Sequence, residues 1–274
     1  MTGVLSDRVR SPFTRKTLAF LRALKRHNDR DWFRARKTDY EEHVRAPMVQ
    51  LLAQLAEDLP RFAPDLVSDP RVSLFRIYRD TRFSEDKSPL KTHVAAHFPS
   101  RRFPKGEGSG LYLEIAPGWV WIGGGLYMPS ADDLRLIRSH ISVRHRALHR
   151  IVTSSSFRRT VDDLHGDKLT RVPRGYPATH AAADYLRFKQ FLAGREFEAE
   201  FATSAAFYRT VLTVFRAVAP LVRFLNEPMR AGRGERALHT ELHAVMQSAV
   251  PPNQTRPPGR PRTVPHLPAA ASRW

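Results

Sequence analysis

LYLEIAPGWVWI, residues 111–122, reads as two short strands folded about one turn. Leu111, Leu113 and Ile115 fall on one face, and Tyr112 and Glu114 on the other. Pro117-Gly118 supplies the turn, and Trp119–Ile122 pairs back. A parallel crossover needs about a dozen residues or more, so strands joined this closely run antiparallel.

Upstream, the period changes from helical to two at RVSLFRIYRDTRFSEDKSPLKT, residues 71–92. Val72–Tyr78 is expected as a strand, with Ser73, Phe75 and Ile77 on one face and Leu74, Arg76 and Tyr78 on the other. His93–Phe98 is expected as a second strand, and the basic RRFPKGEGSG at 101–110 as the loop leading into Leu111. Glu196–Phe201 alternates Phe with Glu like an edge strand. Gly123-Gly124-Gly125 is read as the end of the sheet.

Helical spacing brackets these strands. Phe13–His27 repeats Leu18, Leu21 and Leu24 behind a Thr14 cap. Asp29 or Asp31 caps a second helix, where Trp32 and Phe33 are expected in the core. Met48–Leu59, Ala131–Ile151, Asp184–Leu192 and Ser204–Leu225 complete the helices. The fold class expected is α+β, an antiparallel sheet of about four strands packed against helices from both halves of the chain. Residues 1–12 read as a disordered lead-in and 13–227 as one domain. Residues 228–274 hold 8 of the 21 prolines and seven Arg against two Glu, and read as a basic, largely disordered tail.

The chain has 274 residues, a net charge of +18 and no cysteine, which excludes disulfides and thiolate chemistry. No signal core or apolar run long enough to span a bilayer is present, so a cytoplasmic protein without membrane contact is expected. A strongly basic surface attracts phosphorylated small molecules or nucleic acid. The excess of Arg over Lys is equally what a genome-wide compositional habit would produce.

The string RIYRDTRFSEDKSPLKT, residues 76–92, resembles the signature of a conserved bacterial and fungal family called domain of unknown function 2461. HNDRDWF at 27–33, GGGLYMPSADDLRLIR at 123–138, and Gly175, Tyr176, Pro177 and His180 follow the same order. Two positions depart from the pattern. Leu90 stands where an aromatic residue is usual, and His27 where the family has the first Asn of a pair. The resemblance extends over roughly residues 13–225. It implies a fold and a site but no reaction and no cofactor.

In the central loop, Arg forks and Lys point charges suit carboxylate or phosphate oxygens. The functional reading is an anion site made of Arg76, Arg79, Arg82, Lys87 and Lys91, with Asp80, Asp86 and Glu114 orienting them. The alternative is an internal ion-pair lattice that pins the loop, and the surplus of bases tilts the balance toward an external anion. Glu114 is either a proton acceptor or the ion-pair partner of Arg76. Gly123, Gly124 and Gly125 either cradle an anion before a helix or mark a tight strand exit. His93 and His97 share a strand face but stand too far apart to chelate one metal, and His145 and His149 read as a solvated helix face. Two functions from different classes follow. One is an enzyme or binding protein for an anionic ligand at the 76–91 loop. The other is a non-catalytic module that touches nucleic acid. They differ in whether the bases form a concave cluster or a broad exposed stripe.

Overall fold

The structure is a computed structural model that describes residues 10–82, 85–104 and 106–248. It divides into two units, Met1–Arg233 and Gly234–Trp274, and the fold below is that of the first. Most of the expected lead-in, and the expected tail from 249 onward, lie outside the described residues.

The unit is α+β. Four strands form one antiparallel sheet in the order β1-β2-β3-β4: β1 (Val94–Phe98), β2 (Gly110–Ile115), β3 (Trp119–Leu126) and β4 (Phe191–Glu198). The inner face carries Val94, Ala96 and Phe98 from β1, Leu111, Leu113 and Ile115 from β2, and Val120 and Ile122 from β3, all buried. Helices from both ends of the chain pack there. α1 (Arg15–Arg26) brings Leu18, Leu21 and Leu24, and α4 (Ala46–Asp58) brings Met48, Leu51, Leu52 and Leu55. α9 (Phe207–Ser248) sets Phe215 edge-on against Phe98 at 5.1 Å. A fully buried Phe or Leu contributes about 1.5–3 kcal/mol, so this shared apolar layer is what holds sheet to helices.

Local chemistry fixes the helix ends. Thr14 and Thr17 form a capping box for α1, whose last turn carries Lys25 and Arg26 against the negative end of its dipole. Asp29 caps α2 (Arg30–Ala35) by accepting from the Trp32 N–H at 2.7 Å. α3 (Lys37–Tyr40) and a π-helical turn, Glu41–Arg45, join α2 to α4 without a break, and Pro47, in the first turn of α4, has no N–H to give the preceding turn. Phe33 is buried as expected, but Trp32 only partly so. Its ring packs on Phe20, stacks on His27 and takes the Arg36 guanidinium 4.7 Å from its centroid.

Several expectations need correcting. Val72–Tyr78 is not a regular strand. Asp69 caps a single helical turn, α5 (Pro70–Ser73), and the chain then touches β1 through the isolated bridge Leu74–Ala96 and closes on itself through the bridge Tyr78–Leu90. The Asp69-Pro70 pair is the reason: Asp accepts from the Arg71 N–H at 2.7 Å, and Pro starts a helix without needing a donor. The triple glycine does not end the sheet but lies inside β3, paired with β2 and β4. A Cβ on Gly125, at φ +133°, would meet the Phe191 carbonyl oxygen at 2.0 Å. The third helix of the second half is shorter than expected, α8 (Ala183–Leu186), because Phe191 already opens β4, which ends at Glu198 rather than Phe201. α6 (Ala131–Thr153) is capped by Ser130 and kinks at Arg144, and α7 (Ser155–Val161) follows it. α9 runs past residue 228, so the helix crosses the boundary expected there.

Candidate functional site

Two features of the sequence hold the central loop. Backbone bonds from Arg79 N–H to the Pro89 carbonyl and from Lys91 N–H to the Ile77 carbonyl close its neck at 3.0 and 2.8 Å. Asn28, from the turn between α1 and α2, then grips Leu90 on both sides. Its Nδ2 donates to the Leu90 carbonyl at 2.9 Å, and its Oδ1 accepts the Leu90 N–H at 3.1 Å. Phe33 meets Tyr78 edge-on at 5.9 Å. The Asn-Trp-Phe turn is therefore a buttress for the loop.

Inside the loop, two of the five bases are in ion pairs. Arg82 lies across Asp80 with two bonds, 3.0 and 2.8 Å, which drives the Asp80 carboxyl down to about 2. Arg79 bonds Asp86, whose other oxygen accepts from the Ser88 N–H at 2.8 Å. The exposed Lys87 donates to the Thr81 carbonyl at 3.0 Å. Asp80 and Asp86 thus orient Arg82 and Arg79, while Lys87 staples the loop to itself.

Among the described residues Arg76, Lys87 and Lys91 form no ion pair, and of the three only Lys87 makes a side-chain hydrogen bond, to the Thr81 carbonyl. The Lys91 ammonium sits 4.7 Å above the Phe75 ring, and burial, with Arg76 and Arg79 nearby, pushes its pKa down against the pull of Glu114. Lys91 and Phe75 look onto the outer face of the sheet, where Phe75 meets the Tyr112 ring edge-on at 6.1 Å. By register that face carries Ala95 and His97 of β1, Tyr112 and Glu114 of β2, Trp121 and Gly123 of β3, and Gly194 and Glu196 of β4.

Glu114 is the centre of this face. Only 13% of its side chain reaches solvent. Its Oε2 accepts from the Tyr112 hydroxyl at 2.5 Å, and its Oε1 lies 3.1 Å from His93 Nδ1. The expected partner, Arg76, is not among its ion pairs; a tyrosine, a histidine and the field of Lys91 share it instead. Burial lowers the His93 pKa, Lys91 and Arg79 reinforce that, and Glu114 opposes it. The neighbours hold this histidine toward its neutral, proton-accepting form.

Nothing local in the chain joins His93 to Glu114. The signal was their positions: one residue before β1 and one residue before the end of β2, on the same face once the register is known.

The glycines do not form an anion turn. Gly123 and Gly194 lie side by side under Trp121, where their absent side chains would overlap its ring at 2.6 and 2.4 Å. Gly124 and Gly125 complete the ladder with β2 and β4. His97 lies over Gly110 in the same way.

The histidines of α6 have structural partners. His140 packs on Phe224 at 4.6 Å, His149 Nδ1 is 2.9 Å from the Tyr185 hydroxyl, and His145 meets the His180 ring at 6.1 Å. Among the described residues no three His, Cys, Asp or Glu side chains are grouped to hold a metal, and no helix is long and apolar enough to cross a membrane.

No curated protein matches the chain. The family model described as a conserved hypothetical protein, DUF2461, matches residues 16–224, which takes in the buttress, the central loop, the whole sheet and most of the core. The chain belongs to that family.

Proposed function

We propose that this protein binds an anionic small molecule on the outer face of its sheet, with Lys91 and Arg76 on the negative charge and His93 beside it as a proton acceptor. One observation carries the reading: Lys91 is half-buried over Phe75, repelled by Arg76 and Arg79, and without an ion-pair partner among the described residues. Holding like charges together in a partly desolvated place costs free energy, and an anion between them relieves it. The loop's other bases are turned to its own carboxylates and carbonyls, which fixes the loop's shape. This is a cluster at the edge of a sheet and not a broad basic stripe, so a small ligand fits better than a nucleic-acid duplex.

Titration calorimetry with inorganic phosphate and pyrophosphate tests this. The parent should bind one equivalent, with affinity falling as salt rises. Lys91→Ala and Arg76→Ala should each weaken binding tenfold or more, while Arg82→Ala, on the far side of its Asp80 pair, should not. Equal binding by the parent and Lys91→Ala would remove the proposal.

A further inference from the structure

We infer that the ligand of this site is a nucleoside monophosphate, its phosphate at Lys91 and Arg76 and its base stacked on the Trp121 ring. This rests on the anion-site reading above and adds to it the chemistry of the rest of the ligand.

The argument starts from Trp121. A tryptophan on a sheet normally stands up among its neighbours. Here the two positions beside it, Gly123 and Gly194, carry no side chain, and its ring fills the space that their Cβ atoms would occupy. Trp121 stays partly exposed above this glycine floor. Tyr112 flanks it at 5.8 Å, and Phe75 flanks Tyr112 at 6.1 Å, so three aromatic rings run in a line from β3 toward the central loop. Lys91 closes that line over Phe75. A row of aromatic rings with cations at one end is complementary to a molecule with a flat ring at one end and a phosphate at the other. Base–aromatic stacking is the interaction that single-strand-binding surfaces use for this purpose.

The middle of the line is polar in the manner a sugar requires. Glu114 is the register partner of Trp121, with Cα atoms of such opposed residues about 4.5–5.5 Å apart. Its carboxylate also acts on Lys91. It therefore lies beside the proposed ring site and against His93, two residues along the chain from Lys91. A carboxylate has about four lone-pair positions. Tyr112 and His93 use one each, which leaves acceptor capacity for ribose hydroxyls.

The experiment is calorimetry on the full chain in phosphate-free buffer with three probes: inorganic phosphate, ribose 5-phosphate and adenosine monophosphate. The nucleotide should bind at least tenfold tighter than ribose 5-phosphate, which differs from it only by the base. Trp121→Leu should erase that advantage and leave the affinity for inorganic phosphate unchanged. Trp121→Phe, which keeps a flat ring, should retain most of it. Should Trp121→Leu fail to fold, the comparison of the two ribose phosphates on the parent still decides the matter.

If the nucleotide is no better than ribose 5-phosphate, or keeps its advantage in folded Trp121→Leu, the inference is overturned. The anion site survives that result if Lys91→Ala still abolishes phosphate binding. If no probe binds the parent, both fail together. A single-stranded oligonucleotide that binds when adenosine monophosphate does not would overturn the inference in favour of nucleic acid.

Discussion

Replacing Asn28 by Ala should loosen the central loop and weaken the site without touching either. Tyr78 and Leu90 are opposed residues whose neighbours, Arg79 with Pro89 and Lys91 with Ile77, make the ladder bonds. The backbone groups of Leu90 therefore face away from that ladder, toward Asn28, which satisfies both. The Leu90 side chain is fully buried. Each lost bond removes about 0.5–1.5 kcal/mol net, and a stranded backbone group costs about 1–3 kcal/mol where water cannot reach it. Asn28 is half-buried, so some water enters, and the expected loss is about 2–3 kcal/mol. Urea denaturation should show a lower midpoint at unchanged slope. Asn28→Asp should be at least as damaging, since it sets a carboxylate oxygen against the Leu90 carbonyl. Phosphate affinity should fall as well, because Lys91 is the next residue along the chain. A loss below about 0.5 kcal/mol, the range of an ordinary surface change, would refute the clamp.

Four further outcomes follow from the same geometry. Lys87→Ala should cost less than about 1 kcal/mol and leave phosphate affinity unchanged, since it removes one exposed bond to the Thr81 carbonyl; denaturation and calorimetry on one sample check both. Gly125→Ala should cost about 3 kcal/mol or more or prevent folding, because the new Cβ meets backbone at a left-handed φ; a melting temperature near the parent's would show that β4 can move aside. Trp32→Ala should cost about 2–3 kcal/mol, less than a fully buried Trp, as its ring is only partly enclosed; denaturation reads it. Burial lowers the pKa of His93, His97 and His140, so the unfolded chain binds more protons than the folded one between the folded values and about pH 6.5. Stability should fall as pH drops through that window, and His97→Gln should flatten the slope; a stability that rises on acidification would contradict the sign.

What the chain discloses in one dimension is local, and the site is not. The 111–122 hairpin is legible because alternation and a two-residue turn are both short-range, and the helix caps at Thr14, Asp29 and Ser130 are legible for the same reason. The Asp69-Pro70 start of α5 was equally local, yet the alternation of the seven residues from Val72 matched a strand as well, and only the bonds from Asp69 separate the two. Gly123-Gly124-Gly125 reads identically as a turn or as a close approach; the ring of Trp121 and the Phe191 carbonyl, one local and one far along the chain, decide it. The loop shows the same division. Arg82 with Asp80 and Arg79 with Asp86 are near in sequence, so a count of charges sees them, but not that these two pairs leave Arg76, Lys87 and Lys91 outside any ion pair among the described residues. The joining of Asn28 to Leu90, 62 residues apart, and of His93 to Glu114 across the β1–β2 register depends on the folded sheet alone. The match to the family over residues 16–224 spans all these partners. Residues that make the proposed site are thus those whose roles are set by register, and the variants that test it must be chosen from the sheet face rather than from the charge-dense tip of the loop.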